Sequence, residues 1–287
     1  MTLPKTDPLA DGVSRRILLA PPSAINSAHL FKHWINDPDR HETRLAELQR
    51  LRGRIYLEDG AIERSALDAD GRHHLAGDDR SWHVLALDES GQVQGCIRSL
   101  PFRPTVDFGD LTVRHSPLAA CEVWGHRLKQ AVEFELERSR AMAVDFFEIG
   151  GWALARQIRC TRAALHTALS AYALAQILGG GVGLALATVR NQSAAILKRI
   201  GGQALGAEEW QVPQYFDPRY GCEMEALTFN SGQPLPGFGR QVAAICNLLQ
   251  QVPVYCSLDP LRSSVQALDE VLQQSSLTSS LGVQSGA

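Results

Sequence analysis

Glu148 stands inside an apolar run, Phe146-Phe147-Glu148-Ile149-Gly150-Gly151-Trp152-Ala153-Leu154-Ala155. A carboxylate in a buried strand is costly unless it is partnered or used. Burial also raises its pKa toward the range in which a general base works. A second charge in an apolar run is Arg98, in Val93-Gln94-Gly95-Cys96-Ile97-Arg98-Ser99-Leu100-Pro101. Two compatible readings stand for this pair. One is a cross-strand ion pair that fixes register; the other is a catalytic carboxylate with an arginine that positions it or binds an anionic group. Just beyond Glu148, Arg156, Arg159 and Arg162 cluster where a strand gives way to a helix. A helix N-terminus offers bare N–H groups and partial positive charge, and arginines add charge-assisted bonds, so this junction suits a phosphate. The alternative is a solvated face pairing with nearby acids. Cys160, in the same turn, has no evident histidine partner beyond His166, which disfavours it as a nucleophile.

These residues need elements to hold them. Leu45, Leu48, Leu51 and Ile55 recur at helical spacing and predict a helix over Glu42–Leu57, with Arg52 and Tyr56 one turn apart. Residues 59–79 are polar and read as a loop, with His73 and His74 exposed. Ser81–Asp88 and Gln92–Pro101 flank Glu89-Ser90-Gly91 and predict a hairpin with Trp82, Val84 and Ala86 on one face. Ser116-Pro117 has the form of an N-cap followed by a first helical residue and predicts a helix to about Ser139. A strand over 143–155 follows, then a helix to about Leu178, a doubly covered strand over 182–189, and a helix capped by Asn191 and closed by Gly201-Gly202. Tyr215-Phe216-Asp217-Pro218-Arg219-Tyr220 reads as a turn into a strand over 223–229. Two further helices are expected, over 240–251 and 261–272. Two antiparallel strands, a helix, then strand–helix–strand–helix predict an α/β (α+β) chain with a mixed sheet covered by helices.

Composition narrows the classes. The 287 residues carry 28 basic and 31 acidic groups, giving no charge excess for a nucleic-acid partner. The six cysteines form no metal-ligand spacing, so no metal site is expected. Lys5, Asp7, Asp11, Arg15 and Arg16 interrupt any early apolar run, which predicts no signal peptide and a cytoplasmic protein with reduced thiols. No uncharged apolar run reaches the roughly 18 residues of a membrane span. The expected organisation is an N-terminal arm (1–40), one catalytic-type domain (41–230), a helical extension (231–272) and a disordered tail (273–287).

Gln157-Ile158-Arg159-Cys160-Thr161-Arg162 is similar to the Q/R-x-x-G-x-G/A pyrophosphate turn of the GCN5-related N-acyltransferases, with Cys160 and Arg162 in the glycine positions. Asn191, Ala194, Leu197 and Gly202 resemble that family's following helix, with Lys198 where a tyrosine acid often stands. The Gly95–Pro101 run resembles the G-C-x-R-L-L-P strand of acyl-homoserine-lactone synthases, and Glu148 matches the glutamate of their E-x-S-R-F strand, with Gly151 replacing the arginine. Tyr215–Met224 is similar to bacterial N-acyl amino acid synthases. The resemblance spans about Glu42 to Phe229. It implies a GNAT-like fold, a mixed, mostly antiparallel central sheet flanked by helices, with a V-shaped gap between two strands. It also implies an acyltransferase using acyl-CoA or acyl carrier protein (ACP), a phosphopantetheine thioester, as donor substrate with no tightly bound cofactor, and a small amine as acceptor. Glu148 and Arg98 would be catalytic. Trp152, Ala153, Leu154, Ala155, Arg156, Gln157, Arg159, Thr161, Arg162 and Asn191 would hold the donor, and Arg52, Tyr56, Asp79 and Trp82 the acceptor. Lacking the strand arginine, the chain fits an N-acyl amino acid synthase better than a lactone-forming signal synthase. An inactive acyl-thioester-binding module is the reading from another class.

Overall fold

A computed structural model describes residues 15–207 and 209–258. Along the chain lie β1 (Arg15–Ala20), β2 (His33–Asn36), α1 (Pro38–Glu58), β3 (Trp82–Leu87), β4 (Val93–Phe102), α2 (Gly125–Ala141), β5 (Asp145–Leu154), α3 (Arg162–Ile177), β6 (Gly181–Thr188) and α4 (Ser193–Arg199). The short strands β7 (Gln203–Ala204), β8 (Gly206–Ala207) and β9 (Trp210–Gln211) follow. Last come β10 (Tyr215–Asp217), β11 (Cys222–Asn230), α5 (Gly239–Leu249) and β12 (Pro253–Cys256).

The main sheet has the order β10-β11-β6-β5-β4-β3-β1-β12-β2, with β7 also on β11. Only β5–β6, β1–β12 and β12–β2 are parallel pairs; the rest are antiparallel. Alternation sends the two sides of each strand into separate cores. Leu45, Leu48, Leu51 and Ile55 of α1 meet Leu85, Cys96 and Leu19 on one face, and α2 covers Phe146, Leu184 and Met224 on the same face. On the other face, Leu169 and Tyr172 of α3, Leu197 of α4 and Ile245 of α5 meet Val84, Ala185 and Phe229. Among the described residues, no helix is long and apolar enough to cross a membrane, and all six cysteines are free thiols.

The expected architecture is present, with four local differences. Residues 15–20 are not part of an arm. Ile17, Leu18 and Leu19 are buried in a strand between β3 and β12, and the polar flanks had masked so short a run. Likewise the C-terminal region is no appendage: α5 packs on the α3 core, and β12 enters the sheet between β1 and β2. Helix α2 starts at Gly125 rather than after Ser116. Ser116 instead closes a local turn, its Oγ accepting from Ala119 N at 3.2 Å, and that turn folds back so tightly that a Cβ on Gly125 would lie 2.4 Å from the Ala119 carbonyl oxygen. Asn191 does not cap α4; it adopts φ 65° inside the preceding turn. The expected helix over 261–272 and the tail over 273–287 lie outside the described residues.

Burying Val254, Tyr255 and Cys256 contributes about 1.5–3 kcal/mol per large side chain, against a total stability of roughly 5–15 kcal/mol. A chain ending at Gln251 is therefore expected to lose its cooperative thermal transition in circular dichroism. A cooperative melt at the full-length temperature would contradict the strand's place in the fold.

Candidate active site

β5 and β6 pair only from Asp145↔Gly181 to Glu148↔Leu184, although β5 continues to Leu154 and β6 to Thr188. Past Glu148 the strands part, and a cleft of about 800 Å³ reaches both faces of the sheet. Strand β5 instead follows β4 as far as Gly95↔Leu154, with a register shift between Cys96 and Arg98. Gly151 lies in this bulge at φ +59°. A Cβ there would stand 3.1 Å from Arg52 Nη1 and 3.3 Å from Arg98 Cβ. Conformation and space therefore both call for glycine.

The polar end of the cleft lies on the α1/α2 face. Glu148, 5% exposed, uses Oε1 to accept from Thr112 N at 2.6 Å and Thr112 Oγ1 at 2.8 Å. Its Oε2 is buried without a partner among the described residues. Burial pushes the carboxyl pKa up, against the Thr112 bonds and the Arg98 charge. Arg98 sits opposite Gly150, donates from Nη1 to Ala76 O at 2.7 Å and lies 3.5 Å from Asp78 Oδ1. Behind it, Arg52 is completely buried and donates to both Asp78 oxygens and to the His73 carbonyl. Asp78 also accepts from Gln49 Nε2 at 3.0 Å and Leu75 N at 3.1 Å. Burial opposes its charge, yet Arg52 wins and holds the Asp78 carboxyl well below the usual range. His83 reaches the Asp78 carbonyl at 2.8 Å, and burial lowers its pKa to about 4, leaving it neutral at pH 7. Two arginines and two carboxylates thus balance in one buried cluster.

The apolar end of the cleft lies on the α3/α4 face, lined by Ile149, Ala164, Leu165, Ala185, Ala187 and Leu197. At its mouth is the turn before α3. Thr161 caps that helix, its Oγ1 accepting from Ala163 N at 3.1 Å. Cys160 is exposed at φ +60°, a conformation costing a non-glycine residue roughly 1–3 kcal/mol and typical of functional turns. Two of the three arginines here are matched by acids. Arg159 grips Asp59 at 3.0 and 2.8 Å and Arg156 pairs with Glu58 at 3.1 Å, both acids closing α1.

The structure brings Glu148, Arg98, Tyr56, Trp152, Ala153, Leu154, Arg159, Thr161 and Asn191 together around the cleft. Ala155, Arg156, Gln157, Arg162, Arg52, Asp79 and Trp82 do not line it. Ala155 is buried and continues the β4 pairing through Gln94 O. The Gln157 amide is held by the Gln94 side chain, and Arg162 is exposed. Arg52 stands one layer behind, and Trp82 packs with Phe31 and Trp34 on the opposite face. Asp79 points outward while its neighbour Asp78 is the buried acid, because the tight turn over Asp78–Arg80 sends adjacent side chains apart. His73, expected outside, is buried over Tyr56. Thr112, His115, Arg219 and Tyr220 also line the cleft. Thr112 and His115 carry no sequence signal, being loop residues far upstream of Glu148. Arg219 and Tyr220 lie in the aromatic turn that the sequence does single out.

No protein-family model matches the chain, and no curated protein does. Among solved structures, it is similar to the CoA-dependent acyl-homoserine lactone synthase MesI, at 17% identity over 81% of this chain and 95% of that one, with a TM-score of 0.48. It is also similar to the CoA-dependent acyl-homoserine lactone synthase BjaI with SAM and isopentyl-CoA, at 15% identity over 78% and 92%, TM-score 0.48. A third is FeeM, an N-acyl amino acid synthase from uncultured soil microbes, at 13% identity over 69% and 89%, TM-score 0.41.

Breaking a buried ion pair from one side leaves an uncompensated charge, at a cost of about 3–5 kcal/mol. Asp78→Asn is expected to lower stability by that amount in urea denaturation at neutral pH. The depressed carboxyl's contribution is present above its unfolded pKa of about 3.9 and lost as pH falls through its lower folded value, so the gap between wild type and variant should close only in acid. An unchanged midpoint in Asp78→Asn would show that the cluster does not hold the fold.

Proposed function

We propose that this protein is an N-acyltransferase that moves a long acyl chain from a CoA or ACP thioester to the amine of an amino-acid-like acceptor. The observation that carries this reading is Glu148, with its unpartnered Oε2, at the point where β5 and β6 part. From there the cleft is polar on one face of the sheet and apolar on the other. A thioester carbonyl laid along β5 beyond Glu148 meets backbone that has lost its β6 partner, and free N–H groups there stabilise an oxyanion. The acyl chain runs into the compartment lined by Ile149, Ala164, Leu165, Ala185 and Ala187. The donor's phosphates lie toward the Cys160–Thr161 turn and Asn191.

Chemistry follows from those positions. The acceptor's ammonium gives a proton to Glu148, directly or through one water, and the free amine attacks the thioester carbon. The tetrahedral intermediate collapses, the C–S bond breaks, the thiol sulfur leaves with the electron pair, and the second proton lost by the amine nitrogen passes to the released thiolate or to solvent. A thiol of pKa near 8.5 leaves as thiolate without an obligatory acid, which suits a site where Lys198 replaces the tyrosine and is tied to Glu225 at 2.9 and 3.0 Å. Arg98 faces Glu148 and limits how far burial raises its pKa. The Gly151 bulge, with Arg52 and Arg98 against it, has no space for the strand arginine of the lactone-forming enzymes, which favours a linear N-acyl amino acid as product.

Two outcomes are expected. Because the base works only when ionised and its pKa is raised, kcat/KM should climb with pH through a value above the ordinary glutamate range. Glu148→Gln should lose at least about 100-fold in kcat and that pH limb with it, while still binding acyl-CoA in calorimetry. Undiminished turnover in Glu148→Gln would remove it as the base. Ile149 closes the apolar compartment, lying over Gly183 so closely that a Cβ there would meet its Cδ1 at 2.6 Å. With a ladder of saturated acyl-CoAs, Ile149→Ala should shift the preferred chain longer by mass spectrometry of the products. An unchanged preference would locate the chain elsewhere.

A further inference from the structure

Arg219 lines the cleft on the same side as Glu148 and Arg98. Its strand neighbours Tyr215 and Cys222 pack in the core that also holds Phe146 and Leu184. One edge of its guanidinium is fixed: Nε lies 3.0 Å from Asp217 Oδ1 and Nη2 lies 2.6 Å from Asp217 Oδ2. Asp217 is fully buried and also accepts from the Arg219 backbone N–H at 3.0 Å. The turn Asp217-Pro218-Arg219 therefore presents a guanidinium in one orientation, with the side chain half exposed. Nη1 makes no hydrogen bond among the described residues. The other arginines around the cleft are engaged. Arg159 holds Asp59, Arg190 donates to Gly60 O and Tyr220 O, and Arg98 is held by Ala76 O beside Asp78.

We infer that Arg219, oriented by Asp217, is the residue that receives the carboxylate of the acceptor amino acid. The inference rests on the acyltransferase reading and adds the side chain that holds the acceptor's second functional group. An α-amino acid carries an ammonium and a carboxylate. The cleft offers each a counterpart, the bare Oε2 of Glu148 and the bare Nη1 of Arg219. A planar guanidinium with one edge held by a buried acid recognises a carboxylate with little loss of side-chain freedom. Asp217 is a positioning residue, and Arg219 a specificity-determining one.

The test compares an accepted amino acid with its own primary amide, using lauroyl-CoA as donor. Wild-type enzyme should prefer the acid. Arg219→Met alone would strand the buried Asp217 carboxylate and endanger folding, so the deciding variant is the double change Asp217→Asn with Arg219→Met. It should reduce kcat/KM for the acid by roughly 10- to 100-fold, chiefly through KM, while the amide stays within a few-fold of wild type. Taking the acid-to-amide ratio in each enzyme cancels the difference in amine basicity. Arg219→Lys keeps the charge without the fork and should fall between the two. Equal losses for acid and amide in a folded double variant, or a retained acid preference, would overturn the inference while leaving the acyltransferase intact. Wild-type enzyme that acylates no amine at all would overturn both.

Discussion

The separation of β5 from β6 after Glu148↔Leu184 is the constraint on which the rest of the structure depends. Two parallel strands in mid-sheet would ordinarily stay paired, since every buried N–H and C=O left without a partner costs free energy. Here β5 is drawn toward β4 by the Gly151 bulge, and β6 is held by seven register pairs with β11. Each strand keeps its outer partner and gives up the inner one. The resulting opening crosses the sheet, so one cleft has a polar face and an apolar face.

Charges behind the polar face are arranged to hold that opening. Asp78 cancels Arg52, and Arg98 faces Glu148, so the cluster is neutral as a whole while Glu148 keeps a raised pKa and one bare oxygen. Buried ions stabilise little by themselves relative to a well-packed apolar replacement. What they supply is placement: the Arg52–Asp78 bond ties α1 to the loop before β3, and Arg98 ties β4 to that same loop. Helix α1, its loop and the bulged strands are thereby locked in one register beneath the cleft.

At the mouth the same helix acts again. Glu58 and Asp59 at its end take up Arg156 and Arg159, which leaves the backbone of the Cys160 turn, rather than a bare set of arginines, as the surface facing the opening. A left-handed Cys160 holds the shape that glycine usually supplies.

Much of this was legible in the sequence, because it depends on local pattern. Period-2 alternation set the β3–β4 hairpin and its faces, helical spacing set α1 and α3, and a glutamate in an apolar strand marked Glu148 as partnered or used. Other features depend on residues distant in the chain. Thr112 reaches Glu148 across 36 positions and Arg159 reaches Asp59 across 100, and no local signal encodes such meetings. The choice of Asp78 over Asp79, the displacement of Trp82 to the far face, and the insertion of β1 and β12 into the sheet were likewise tertiary outcomes. Residue type and period determine which side of an element is apolar. Only the assembled fold decides which apolar side meets which charge, because burial and electrostatics act through space rather than along the chain.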